Sequence, residues 1–147
     1  MTVRSLLFVP GSRPDRFEKA AAAGADAVCI DLEDAVAPDA KDAARSAAMA
    51  AADARFGVRV NAVGSSEGAA DLAALAGARP AFVMIPKAAA PSDVAAVRAA
   101  TGASLWPIIE SAQGLKLAWD IAAAPGVAGV LFGGADYAAD LGSSMSW

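Results

Sequence analysis

With 147 residues the chain is long enough for one hydrophobic core, and 56% of it is apolar, much of that alanine. A formal net charge of −4, from 12 basic and 16 acidic residues, leaves no basic footprint for nucleic acid. Histidine is absent, which removes histidine bases, the common triads and most zinc sites, and a single cysteine excludes an internal disulfide and suits a reducing compartment.

The first apolar run, RSLLFVP (residues 4–10), is too short to cross a bilayer or to act as a signal peptide, and no later run reaches membrane length. A soluble, cytoplasmic protein is expected. The run predicts a strand. Ser12 and Asp15 then stand in S-x-x-D spacing and predict a capped helix over 14–23, with Pro14 in its first turn. AVCIDLE (27–33) is the second strand, with Cys29 an inert core thiol, and a helix is predicted over 41–54. VRVN (58–61) precedes a helix over 67–75, and FVMIP (82–86) precedes one over 92–100. SLWPIIE (104–110) leads to a helix over 112–123, and AGVLFG (128–133) is the sixth strand. Gly24, Gly102 and Gly126 each follow a helix, where a left-handed C-cap favours glycine. Trp106 and Trp119 read as packing residues.

Each strand is a continuous apolar run, as parallel strands buried on both faces require, and the alternation with helices predicts an α/β fold in a single domain over 1–147. FVPGSRPD is no G-x-G-x-x-G loop, so a dinucleotide fold lacks its fingerprint. Polar residues gather at strand C-terminal ends: Arg13, Glu33 and Asp34, Arg59 and Asn61, Lys87, Glu110, Asp136. A (β/α)8 TIM barrel brings such ends around one mouth, where barrel enzymes keep their active sites. A full barrel takes about 250 residues. The chain therefore covers about the first six βα units, and a fragment of a longer protein is the simpler expectation.

Glu110 and Asp136 end or follow adjacent strands. Paired carboxylates repel unless a proton or cation lies between them, and without histidine that cation is a hard one such as Mg²⁺, completed by water and substrate oxygens. The competing reading has each acid capping a helix or pairing with a rim lysine. Arg59, inside a strand, needs an anionic partner: either Asp31 or Glu33 on the neighbouring strand, or a ligand carboxylate or oxyanion. Asp31, Glu33 and Asp34 are suited to positioning Arg59 or Lys87. Arg13, beside Gly11 and Ser12, is a candidate anion contact, whereas Lys19 fits a solvated face. Lys87 suits either a Schiff base or a rim cation.

In this order RSLLFVPGSRPDRFEKA, DLEDAV, VRVN, MIPKA, IIESAQGL and FGGADYAADLG resemble the citrate lyase β-subunit (CitE-like) family of the HpcH/HpaI aldolase superfamily, which also holds malyl-CoA and citramalyl-CoA lyases. The resemblance runs over about residues 4–142. It implies a barrel that binds Mg²⁺ through Glu110 and Asp136 and makes or breaks a C–C bond in an acyl thioester. It further implies that Arg59 grips the oxo acid and the thioester oxygen, that Gly11 and Arg13 belong to the CoA side of the mouth, and that Glu33 and Asp34 order the site. The implied reaction cleaves citryl-CoA to oxaloacetate and acetyl-CoA. A malyl-CoA or citramalyl-CoA lyase, a thioesterase on the same scaffold, and a non-catalytic truncated paralogue that binds acyl-CoA or an oxo acid are the alternatives. Relatives also imply a homo-oligomer, trimer or hexamer, with other citrate lyase subunits as further partners.

Overall fold

Every strand expected from an unbroken apolar run forms. The structure, a computed structural model, describes residues 3–144. Strands β1 (Leu6–Pro10), β2 (Ala27–Asp31), β3 (Phe56–Arg59), β4 (Phe82–Ile85), β5 (Ser104–Ile109) and β6 (Leu131–Phe132) form one parallel sheet in the order β1-β2-β3-β4-β5-β6. A doubly wound sheet would reverse direction at a switch point. Here each strand pairs with its successor, the order of a barrel wall, and the six strands make a partial TIM barrel.

Helices α1 (Phe17–Ala21), α2 (Lys41–Ala51), α3 (Ser66–Leu75), α4 (Pro91–Ala100), α5 (Ala112–Lys116), α6 (Ala118–Ala122) and α7 (Gly134–Asp140) follow the strands. None is long and apolar enough to cross a membrane. Alternate strand residues divide between two apolar layers. Val28, Ile30, Val58, Val83, Ile85, Leu105 and Ile109 pack against helix residues such as Ala44, Ala48, Leu75, Val94, Val97 and Ile121. On the opposite face Cys29, Phe82, Met84 and Ile108 bury one another with Leu6, Trp106 and Leu131 at their margin. Both faces being covered, the strands need no alternating pattern. Cys29 is fully buried and burial pushes its thiol up, as expected of an inert core group.

Several local expectations are corrected. Ser12 and Asp15 do not cap α1. Arg13 holds the Asp15 carboxylate through Nε (2.9 Å) and Nη2 (2.7 Å), and a short 3₁₀ turn, Pro14–Arg16, opens the segment instead. The helix expected over 112–123 divides at Leu117, whose N–H is shared among the carbonyls of the preceding turn. Strand β6 is shorter than expected: the pairing advances by one residue between the isolated Leu105–Val127 bridge and the Ile108–Leu131 pair, a bulge-like interruption at 128–130. Gly24 and Gly126 have positive φ, at 82° and 90°, but Gly102 does not. Helix α7 was not anticipated. Trp106 packs, stacked on Phe82 at 4.1 Å, whereas Trp119 on α6 is 89% exposed.

Gly57 lies beneath the Phe82 ring, where an added Cβ would overlap the ring atoms. Gly57→Ala is expected to destabilise the fold by about 1–3 kcal/mol through forced displacement of Phe82 from Trp106. A denaturation midpoint measured alongside near-UV circular dichroism checks this, because the loss should accompany a changed aromatic signal.

Candidate active site at the C-terminal ends of the strands

The end of β2 and the end of β3 lie side by side, with Asp31 in register with Arg59. The Arg59 guanidinium meets Asp31 in a two-pronged pair, Nε to Oδ1 at 2.7 Å and Nη2 to Oδ2 at 2.6 Å. Asp31 is fully buried, and its oxygens also accept the N–H groups of Glu33 (2.9 Å) and Ala35 (3.0 Å), which shapes the loop after β2. The third guanidinium nitrogen, Nη1, faces Glu33 Oε2 at 2.9 Å and Asp34 Oδ2 at 3.5 Å. Below it lies the Phe8 ring, its centroid 5.1 Å from the guanidinium carbon. Burial opposes the Arg59 charge, but the bond to Asp31 and the surrounding carboxylates outweigh it and hold the group firmly protonated. Of the two readings of Arg59, the ion pair is the one present: Asp31 takes Nε and Nη2, while Glu33 and Asp34 face Nη1.

Glu33 is buried between two cations, with Oε1 3.0 Å from Lys87 Nζ and Oε2 facing Arg59. Each carboxylate oxygen thus faces one cation of its own. Burial raises the Glu33 carboxyl above its ordinary range, against the pull of Lys87 and Arg59. Lys87 itself, held charged chiefly by Glu33, is the one non-glycine residue with positive φ among the described residues, at 51°. That left-handed turn directs its backbone N–H at Glu110 Oε1, 2.6 Å away.

Glu110 follows β5 directly and is 5% exposed. Its carboxyl is pushed up to about 7, first by burial and then by the like charges of Glu33 and Asp136, with the Lys87 N–H pulling the other way. Its Oε2 lies against Gly133, where any Cβ would collide with it. Asp136 stands exposed in the first turn of α7, so the strand–loop–acid order expected at β6 is a strand followed by a short helix. Arg59, Glu33, Asp34, Lys87 and Glu110 are thus linked, and Asp136 is felt by Glu110 and Lys87 electrostatically. Arg13 is not joined to them: it is exposed and engaged by Asp15. Gly11 reaches the site only through its N–H, donated to the Asp31 carbonyl at 2.8 Å.

Asn61, expected at the mouth, turns instead toward the helices. Its backbone N–H and its side-chain amide both donate to Asp71 Oδ2, at 2.7 and 2.8 Å. Asp71, on α3, is fully buried and takes Arg45 Nε on its other oxygen at 2.6 Å, and Arg45 also pairs with Asp42 and Glu67. Lys41, Arg45 and Asp71 escaped sequence reasoning, because isolated charges in alanine-rich helices look like solvent-facing decoration. The signal that could have found them was the Asn61–Asp71 spacing across the β3–α3 loop. Asp140 was missed too; it accepts the Ala112 N–H at 2.8 Å and ties α7 to the start of α5.

A family profile described as HpcH/HpaI aldolase/citrate lyase matches residues 4–146. The chain belongs to that family. It is 42% identical to a (3S)-malyl-CoA thioesterase of Cereibacter sphaeroides, over 95% of this chain and 52% of the relative. It is 44% identical to a citrate lyase subunit beta-like protein of Mycobacterium tuberculosis, over 95% of this chain and 50% of that protein. Among solved structures, protein CitE from M. tuberculosis in complex with magnesium, acetoacetate and coenzyme A superposes with a TM-score of 0.88 at 42% identity, covering 99% of this chain and 54% of that one. The chain spans about half the length of the HpcH/HpaI relatives it matches.

Two measurements test the electrostatics. Arg59→Met strands the buried Asp31 carboxylate and is expected to cost about 3–5 kcal/mol of folding stability, read by chemical denaturation. Glu110 has a folded pKa near 7 against an ordinary 4.5, so the folded state holds its proton more tightly and stability declines as pH rises through that window. In metal-free buffer the denaturation midpoint should fall between about pH 5 and about pH 7.5, and Glu110→Gln should flatten that fall.

Proposed function

We propose that this chain supplies the catalytic mouth of a Mg²⁺-dependent carbon–carbon lyase acting on a hydroxyacyl-CoA thioester of the citryl-CoA kind. The observation that carries the reading is Glu110: a buried acid at a strand end, crowded by Glu33 and Asp136 and held by a backbone N–H, is a carboxylate that a cation would relieve. The donors fit magnesium. Two carboxylates, Glu110 and Asp136, the second close enough to act on the first electrostatically, suit an ion that retains waters and substrate oxygens. Bound there, Mg²⁺ would supply Lewis acidity to the substrate's hydroxyl and neighbouring carboxylate.

In this reading the chain's own residues contribute as follows. In cleavage the hydroxyl proton departs, the bond from the carbinol carbon to the thioester α-carbon breaks, and an oxo acid separates from an enolate that is then protonated. Arg59 Nη1 offers a charged donor to developing oxyanion character, and Asp31 fixes the plane of that donor through the other two nitrogens. Glu33, buried between two cations and with its carboxyl raised by that burial, is a candidate to hold a proton, with Asp34 beside it at the solvent edge. Lys87 works through Glu33 and Glu110, so a Schiff base is unnecessary. The loop of Gly11 and Arg13 is assigned to the CoA side. Homo-oligomerisation, with other citrate lyase subunits as further partners, completes the reading.

A malyl-CoA substrate is the second reading, favoured by the 42% identity to a malyl-CoA thioesterase. The intact protein is to be given citryl-CoA and (3S)-malyl-CoA with Mg²⁺ or EDTA, following oxo acid and free thiol separately. Metal-dependent oxo acid release is expected, with Glu110→Gln and Asp136→Asn each reducing it at least about a hundredfold. Free thiol without oxo acid would mean a thioesterase, and saturable binding without either product would sink the enzymatic reading.

A further inference from the structure

Behind the Glu33–Asp34 loop, Lys41 at the start of α2 directs its ammonium inward rather than to solvent. Its three bonds are all short: to the Leu32 carbonyl at 2.6 Å, to the Glu33 carbonyl at 2.7 Å and to Asn61 Oδ1 at 2.7 Å. An ammonium has three N–H groups and no acceptor, so this side chain is fully spent. None of the three partners is charged, and no carboxylate lies within ion-pair distance of Lys41 among the described residues. A surface lysine on a helix would not give up its hydration for neutral acceptors unless their positions mattered.

The orientation of Asn61 is itself determined. Asp71 Oδ2 can only accept, so the Asn61 NH₂ must face it and Oδ1 must face Lys41. Arg45 occupies the other Asp71 oxygen, which leaves the carboxylate no alternative pose. A rigid line of contacts thus runs from the α2–α3 layer to two successive carbonyls of the loop after β2. From the same loop the Glu33 side chain reaches Lys87 and Arg59, and Lys87 in turn presents its N–H to Glu110.

We propose that Lys41 is a positioning residue, tying the carbonyls of Leu32 and Glu33 to Asn61 so that the Glu33 carboxylate stays seated between Arg59 and Lys87. Lys41 touches no ligand; it acts through Glu33. The inference rests on the oxo-acid site read above.

The test compares the intact wild-type protein with Lys41→Met, Lys41→Arg and a control of similar thermal loss away from the mouth, Val94→Ala, which truncates a buried α4 side chain. Oxaloacetate affinity in Mg²⁺ is measured by calorimetry, together with amide exchange at Leu32 to Val36 and the thermal midpoint. Lys41→Met is expected to weaken oxaloacetate at least about tenfold and to speed exchange in that loop, while Val94→Ala does neither at an equal drop in midpoint. Lys41→Arg is expected not to rescue, because a planar guanidinium cannot converge on three acceptors as an ammonium does. If Lys41→Met binds as Val94→Ala does, the inference falls and the site reading stands. If the wild type itself fails to bind oxaloacetate with Mg²⁺, both fall.

Discussion

The buried pair between Arg59 and Asp31 is the interaction on which the mouth depends. It spans two neighbouring strands, and the acid is wholly enclosed, so neither charge tolerates loss of the other. Asp31 also receives two N–H groups of the following loop, so the pair sets backbone as well as charge. Glu33 and Asp34 face the guanidinium nitrogen Nη1, and Lys87 reaches the other oxygen of Glu33. A net acidic cluster is held together by one arginine and one lysine.

Much of this is legible in the sequence. Strands buried on both faces leave unbroken apolar runs, so the parallel α/β order and the sequence of strand ends could be read directly. Polar residues terminating those runs marked Arg59, Glu33 and Glu110 correctly as neighbours at one end. What escaped was decided by long-range pairing. Asn61 has the same local pattern as Arg59, yet it faces the helices because Asp71, ten residues on, is buried there to receive it. Ser12 and Asp15 carry a capping pattern, but a neighbouring arginine outcompetes the backbone for that carboxylate. Helix α7 hid behind a Gly-Gly pair that reads as loop, and Trp119 counted as core because an indole usually is.

The helical layer behind the sheet does two jobs that composition alone conceals. The alanine-rich helices pack closely and also carry one enclosed polar line, Arg45 to Asp71 to Asn61 to Lys41, that arrives at the loop after β2. Apolar packing fixes where the strands lie. The polar line fixes how one loop sits upon them, a finer adjustment that non-directional burial cannot supply.

Position 87 has a further consequence. Its main chain and its side chain address different acids, Glu110 through the N–H and Glu33 through the ammonium. Because the backbone there is left-handed, glycine is the residue that could keep the first contact while deleting the second. The two halves of the acidic cluster are therefore genetically separable at a single codon, one wired to the fold and the other to the side chain it encodes.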